Sequence, residues 1–531
     1  MNTPLSKIIE LLNSDNFYEA EQEIRKIYNK NPDSFDLNKI LGAAMLAQKK
    51  YNVALKCFEK CFNIKNDDYD VLVNLGFIFL KTQFFDQSID FCNKALSIKQ
   101  WPHAYQNLAS CYFHLRDYSK AEENAKQAIT LRGGFDAEAF LNTDDLVSLY
   151  GNILLAQRKN EDFVQYALKV LEKKYVQRLL IMLFRENKEL ISESHVSMVK
   201  KAMEDAINLK RKIELNTQIS DACFFLAEYY ASTDQTLSET YYNKGNSKIS
   251  EMQRESIYQR QKYAKGIYEF FKNFDDSQIK GGIDRSKGEG LIFVLGMPRS
   301  GTTLLESILY TSPDLIPGGE KSFFTLQLFE FITRIANQDN VNFDLDFAQQ
   351  LGDRYLENIK AQRGEAKFFV DKLPENYLYL KFIKLCLPGA KFIHCLRDPW
   401  DNAISLFKQN YSVNIFYASS FFGIATEYAN HEFIMQNWKN SELADSILDQ
   451  KYEDLVQNID ESAKKIWSFL GLPGIFDPEK RKSYVGYTAS MQQVTKDIYN
   501  TSVKKNDFSD QKDSFFKNLE NQRQYWREKL Q

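Results

Sequence analysis

Apolar and small residues return on a fixed step along the first part of the chain. Phe17, Tyr51, Phe85 and Tyr118 are separated by 34, 34 and 33 residues; Ala20, Ala54, Ser88 and Ala121 lie three positions behind them, and Gly42, Gly76 and Ala109 stand nine before the last three. A small residue lets two antiparallel helices approach closely, and the aromatic fills the space between one pair and the next. The step therefore predicts stacked helix pairs. It blurs after about residue 131, at "LRGGFDAEAFLNTDD", and helical period resumes in "LVSLYGNILLAQ". Residues 223–249, "CFFLAEYYASTDQTLSETYYNKGNSKI", again read as helix, turn, helix, which carries helices to about residue 272. A polar, glycine-rich stretch follows at 272–290, and then "LIFVLG" at 291–296, a short continuous apolar run of the kind found in buried parallel strands. A glycine-bracketed turn and the helical period of "TTLLESILYTS" complete a strand–loop–helix unit.

The N-terminal period is that of the tetratricopeptide repeat. The chain accordingly divides into a repeat array over 1–140, a further helical, repeat-like region over 141–272, a linker over 273–290 and an α/β domain over 291–531. Two roles fit the repeats. A concave surface could grip an acceptor peptide or protein, or the helices could pack on the next domain or on another copy of the chain in a homodimer.

Composition narrows the class. A chain of 531 residues exceeds what one core organises, and 44% hydrophobic with 26% charged residues is globular composition. The net charge of −3 provides no bulk attraction to nucleic acid or anionic lipid, so any anion site is local. No apolar run approaches the ~20 residues of a membrane span, and the start "MNTPLSKIIELLNSDN" has no signal-peptide core, so a cytoplasmic protein is expected. Seven cysteines at 57, 61, 92, 111, 223, 386 and 395 are scattered without metal-ligand spacing and are expected to be reduced core residues. The five histidines, at 103, 114, 195, 394 and 431, form no cluster in the sequence, and His394, inside an apolar run, is expected to be a packed core side chain.

The chemistry concentrates in "GMPRSGTTLLESIL". Loop amides and the first turn of the following helix point at one place and suit a phosphate or sulfate. Gly296, four residues, then Gly301 fits a Walker loop, but Thr302 stands where that loop needs lysine. The cation is Arg299, and Ser300, Thr302 and Thr303 supply hydroxyls. A magnesium-dependent nucleotide kinase or hydrolase is thereby disfavoured. Downstream, "KFIHCLRDPWDNAISLFKQNY" ends an apolar strand at Arg397, with Asp398 able to cap, Pro399 at a first helical position and Ser405 two turns into the helix.

These two stretches resemble the 5′-phosphosulfate loop and the 3′-phosphate signature of sulfotransferases that use 3′-phosphoadenosine 5′-phosphosulfate (PAPS), most closely tyrosylprotein sulfotransferases and bacterial repeat-containing relatives. The resemblance implies a P-loop-like α/β domain with a central parallel sheet, PAPS as donor, adenosine 3′,5′-bisphosphate as product and no metal. It implies that Arg299, Ser300, Gly301, Thr302 and Thr303 hold the 5′ side of the nucleotide and Arg397 and Ser405 its 3′-phosphate. In "GGEKSF" Glu320 matches the family's general base, in "VDKLPENY" Lys372 matches its lysine at the transferring group, and in "KYEDLV" Tyr452 matches its tyrosine at the nucleotide. In the tail "YTASMQQVTKDIYNTSVKK", Ser490 matches the active-site serine, with Lys496, Lys504 and Lys505 as further nucleotide contacts. Lys321 and Ser322 depart from the acidic residue and threonine that often follow the family glutamate, which bears on acceptor choice.

An in-line transfer to an acceptor hydroxyl follows, a peptide tyrosine being favoured over a sugar or a small phenol. The alternative is a repeat-based interaction scaffold whose nucleotide-binding domain has degenerated. Retention of Arg299, Glu320, Lys372, Arg397 and Ser405 together argues against decay, since a scaffold needs none of them. The closing stretch "DSFFKNLENQRQYWREKL" is expected to dock on the domain through Phe516, Leu519 and Trp526.

Overall fold

The computed structural model describes residues 8, 11, 17–28, 31–208, 214–252, 257–272, 284–336, 344–411, 415–484 and 508–529. Residues 273–283 of the expected linker, and Ser490, Lys496, Lys504 and Lys505, lie outside them. The chain forms two compact units, Met1–Glu186 and Asn187–Gln531.

The first unit is built from antiparallel helix pairs, Phe35–Ala47 with Tyr51–Ile64, Tyr69–Lys81 with Phe85–Ile98, and Pro102–His114 with Tyr118–Leu131. Ser34 and Asp68 cap the first helices of two pairs by accepting from Leu37 N and Val71 N. The glycines act as the period predicts: a Cβ on Gly42 would lie 2.8 Å from the Phe58 ring, and one on Gly76 2.6 Å from Cys92 Sγ. A fourth pair, Asp144–Ala156 with Asn160–Lys173, continues the pattern past the point where the sequence blurs. Gly133 and Gly134 at positive φ and a short helix, Glu138–Leu141, push its second helix to start 42 residues after Tyr118 (160 − 118). Its small residue is Gly151, packed against Phe163, which stands where the other pairs carry alanine or serine.

The second unit opens with helices Glu193–Asn208, Glu214–Tyr230, Gln235–Glu251 and Ile257–Lys272. These pack on the sheet-containing part: Phe224, Tyr242 and Ile249 share a core with Trp400, Phe407, Tyr417 and Ile424, and buried Asn246 donates to Phe407 O at 2.9 Å.

The sheet has five strands: β1 (Leu291–Gly296), β2 (Leu315–Pro317), β3 (Phe368–Lys372), β4 (Lys391–Leu396) and β5 (Ile447–Lys451). Their order is β2-β3-β1-β4-β5, and every pairing is parallel. All six residues of β1 are buried, which is why it reads as an unbroken apolar run. The fold class is thus the expected one, repeats followed by an α/β domain with a central parallel sheet.

Two expectations are corrected. The closing helix Lys512–Lys529 docks on the helix Phe421–Lys439 through Phe515, Leu519 and Trp526; Phe516 is 37% exposed, since a helix of this pitch cannot turn both adjacent phenylalanines inward. The fold also pairs two histidines that the sequence keeps apart. His394 Nε2 lies 2.8 Å from His431 Nε2, and His394 Nδ1 lies 2.7 Å from Asp449 Oδ1, whose other oxygen takes Lys439 Nζ at 2.8 Å. With Asp449 accepting from Nδ1–H, His394 Nε2 must accept from His431 Nε2–H, which leaves His431 Nδ1 without its proton, and that atom is buried with no hydrogen bond among the described residues. His394 is a core side chain, but one with two polar partners. All seven cysteines are buried and unbridged, Cys57 and Cys61 included.

Burial pushes both histidines below their ordinary value, and the neighbouring Lys439 adds to this; Asp449 opposes it. A folded-state pKa below the unfolded one means that the unfolded chain binds more protons once pH drops under about 6.5. Stability should therefore fall as pH falls. Between pH 7 and 5.5 the pair should cost about 1 to 2.5 kcal/mol, read by urea denaturation. Asp449, held well below the usual carboxylate range, stays ionised through that window. His431→Gln, which keeps a donor to His394, should show a shallower decline; an equal slope would place the pH dependence elsewhere.

Candidate active site

Sequence-predicted residues collect at the carboxyl ends of β1, β3, β4 and β5, the edge at which parallel α/β sheets bind ligands. The β1 loop turns sharply. Gly296, Arg299 and Gly301 have φ of 143°, 68° and 100°, and a Cβ on Gly296 would fall on the carbonyl oxygen of Cys395 in β4. The helix Thr302–Leu309 follows with Gly301 as its N-cap, so no capping side chain competes with an anion at its start. Ser300, Thr302 and Thr303 are all buried, and Ser300 Oγ has no hydrogen-bond partner among the described residues. Such an orphaned hydroxyl in an uncapped loop suits an anionic oxygen.

The second signature closes on the first. Asp398 caps the helix Pro399–Phe407 by accepting from Trp400 N and Asp401 N, with Pro399 in its first turn. Arg299 Nε donates to Ser405 Oγ at 3.0 Å, and an Arg397 Nη1–H donates to Arg299 O at 2.9 Å. The Arg397 guanidinium lies 4.6 Å from the centre of the Tyr452 ring, and a Cβ on Gly301 would come within 2.7 Å of that ring. Arg299, Arg397, Ser405, Gly301 and Tyr452 are therefore one cluster. Two guanidiniums, hydroxyls and the start of a helix form a donor set suited to anionic oxygens.

Glu320 stands at the end of β3. Lys372 Nζ is 2.5 Å from Glu320 Oε1, with the Lys372 side chain fully buried and that of Glu320 48% exposed. Backbone bonds set this geometry: Gly318 N to Val370 O at 2.7 Å and Lys372 N to Gly319 O at 2.8 Å. Glu306, buried in the loop helix, accepts from Gly319 N at 3.1 Å and from Tyr484 OH at 2.6 Å, so the β1 loop and the Glu320 turn are coupled. Lys321 does not face the opening. It is 2% exposed and acts on buried Asp371, which also takes the Tyr355 hydroxyl at 2.8 Å. Burial pushes Asp371 up to about 7 and Lys321 down to about 8.

Sequence reasoning missed Glu306, Asp371 and Tyr411. Glu306 and Asp371 carried a signal, each being an acid inside an otherwise apolar run. Tyr411 carried none; its hydroxyl feels both Arg299 and Glu320, while burial pushes its pKa up.

Residues 292–478 match the family model described as the sulfotransferase family, and residues 102–134 match the tetratricopeptide repeat. A putative protein-tyrosine sulfotransferase of Caenorhabditis briggsae is 31% identical over 194 residues, covering 35% of this chain and 67% of that protein. The chain belongs to the sulfotransferase family. Protein-tyrosine sulfotransferase 1 of Danio rerio is 28% identical over 199 residues, 35% of this chain and 55% of that protein. An uncharacterised protein of Aquifex aeolicus is 32% identical over 243 residues, 42% of this chain and 32% of that protein. This sulfotransferase-family chain thus spans from about a third to two thirds of the length of these relatives. Among its described residues no helix is long and apolar enough to cross a membrane.

Proposed function

We propose that the protein transfers a sulfuryl group from PAPS to an acceptor hydroxyl, a tyrosine of a peptide or protein being the favoured acceptor, with Glu320 as general base. The observation that carries this reading is the Glu320–Lys372 ion pair set beside an uncapped loop that holds an orphaned Ser300 hydroxyl. The favoured acceptor rests on the relatives named protein-tyrosine sulfotransferase. The repeats would grip that acceptor.

PAPS, when bound, supplies an activated sulfuryl group on a phosphate leaving group. The protein's share is positioning and charge. The loop amides, Ser300 and the helix terminus would hold the 5′ side, and Arg397 with Ser405 the 3′-phosphate. Glu320 would take the acceptor proton on its carboxylate. As that charge is neutralised, the ammonium of Lys372 loses its ionic partner and becomes available to the negative charge developing beside it. Arg299, anchored on Ser405, bridges the two ends of the cradle.

The test is calorimetry. Adenosine 3′,5′-bisphosphate should bind without magnesium and more tightly than adenosine 5′-phosphate or ATP; equal affinity for the monophosphate would overturn the reading. Arg397→Ala should weaken that binding by about 1.5 to 3 kcal/mol, the range of hydrogen bonds to charged groups. Labelled PAPS with tyrosyl-peptide, sugar and phenol acceptors then separates the acceptor classes.

A further inference from the structure

Half-exposed Glu320 lies within electrostatic reach of a charge network that the transfer chemistry does not use. Arg260, on the helix Ile257–Lys272, places Nη2 at 2.8 Å from both Glu375 Oε1 and Glu427 Oε1, with Nε at 3.1 Å from the latter. One cation thus serves two carboxylates, so that among the described residues their charge is only half compensated. Glu427 does not hold that surplus open. Its side chain is 1% exposed, its Oε1 also accepts from Tyr377 OH at 2.6 Å, and its Oε2 accepts from Asn430 Nδ2 at 2.9 Å.

Glu375 is the open member. Only its Oε1 accepts a hydrogen bond among the described residues, and its side chain is 27% exposed. It lies three residues beyond Lys372, at the start of the short helical segment Pro374–Tyr379, within electrostatic reach of Glu320. Its position is held from behind: the Arg260 guanidinium is 14% exposed and lies 5.9 Å from the centre of the Tyr417 ring. Lys372 is engaged with Glu320 and Arg299 with Ser405, and burial keeps Tyr411 a neutral phenol.

On the proposed transfer reaction, we infer that Glu375 is an acceptor-binding residue and that the acceptor carries a positively charged group close to its reacting hydroxyl. A cationic acceptor supplies the charge that Arg260 alone cannot, whereas an acceptor with a carboxylate there meets Glu375 and Glu320 together. Burial, Glu427 and Glu320 push the Glu375 carboxyl up against the pull of Arg260, so an incoming cation relieves an existing repulsion.

Three phenols of similar size test this: tyramine (cationic), 4-ethylphenol (neutral) and 3-(4-hydroxyphenyl)propionate (anionic). The full-length protein saturated with PAPS should show kcat/KM in that order, tyramine leading the propionate by roughly tenfold or more, mostly through KM. Calorimetry on the protein loaded with adenosine 3′,5′-bisphosphate should give the same order of binding. Glu375→Gln should compress the tyramine-to-propionate ratio toward one. If all three are sulfated with equal efficiency, or the propionate leads, this inference fails while the transferase reading stands. If none is bound or sulfated and the nucleotide does not bind, both fail. A ratio unchanged in Glu375→Gln removes Glu375 from the acceptor site, and if that variant does not fold, the wild-type order alone decides.

Discussion

Glu320→Gln should lower sulfuryl transfer by roughly 100-fold or more and leave affinity for adenosine 3′,5′-bisphosphate nearly unchanged. The amide keeps the carboxylate's shape, and its oxygen can still accept from Lys372 Nζ, which stands 2.5 Å from Glu320 Oε1. The turn is fixed by main-chain bonds from Gly318 and Lys372 and by Glu306 beneath it, none of which involves the Glu320 side chain. What the amide lacks is basicity. The cluster of Arg299, Arg397 and Ser405, proposed to hold the nucleotide, stands on other elements, so nucleotide affinity reports any collateral damage. Single-turnover rates with saturating PAPS, beside calorimetry, separate the two quantities. A variant that turns over like wild type would make Glu320 a turn residue, and one that also loses nucleotide would make it a structural support.

A second large effect is expected from truncation. A chain reduced to residues 273–531 should fail to fold cooperatively, whereas residues 187–531 should melt as one unit and bind nucleotide. The shorter chain loses Arg260 and leaves Glu427, 1% exposed, as a buried carboxylate without its cation, a loss of about 3 to 5 kcal/mol. It also loses the Tyr268 hydroxyl bond to Asn437 at 2.9 Å, the Tyr268 ring against Phe433 and Trp438, and the Phe224 and Tyr242 side of a shared core. Against a total stability of about 5 to 15 kcal/mol for a typical domain, that sum is decisive. Circular dichroism melts of the two chains give the answer. A sharp transition in residues 273–531 would mean that these helices are accessories.

Much of this molecule was legible because its period and its loop are local features. The repeat step needs only spacing, and the strand–loop–helix unit needs only a buried run followed by glycines. The first helix of the fourth pair was legible in "LVSLYGNILLAQ", but its membership of the repeat was hidden because two glycines and a short helix shift the spacing to 42 residues and because Phe163 replaces a small residue. Arg397 and Ser405 could be named from a helix start, but their link through Arg299 depends on β1 and β4 being neighbours, which is a matter of topology. Arg260 was invisible for the same reason. Its partners lie 115 and 167 residues downstream, and nothing in "IYQRQKYAK" separates it from a surface arginine. The docking face of the closing helix was misassigned by one residue, since Phe515 and Phe516 fit its spacing almost equally.

The packing of the helices Ile257–Lys272 and Lys512–Lys529 on one common helix, Phe421–Lys439, also sets an order of events during synthesis. Gln261 donates to Gln522 at 3.0 Å across 261 residues, and the Phe433 ring stacked on Trp526 also meets Tyr268. At roughly 5 to 20 residues per second, the helix bearing Gln261 and Tyr268 waits roughly 13 to 50 seconds for its last partner to emerge. Throughout that interval the Phe433 ring, which meets Tyr268, lacks the Trp526 ring that stacks on it in the finished fold. The nascent chain therefore carries sticky apolar surface until the helix Lys512–Lys529 appears, and contacts of such high sequence separation make its maturation slow.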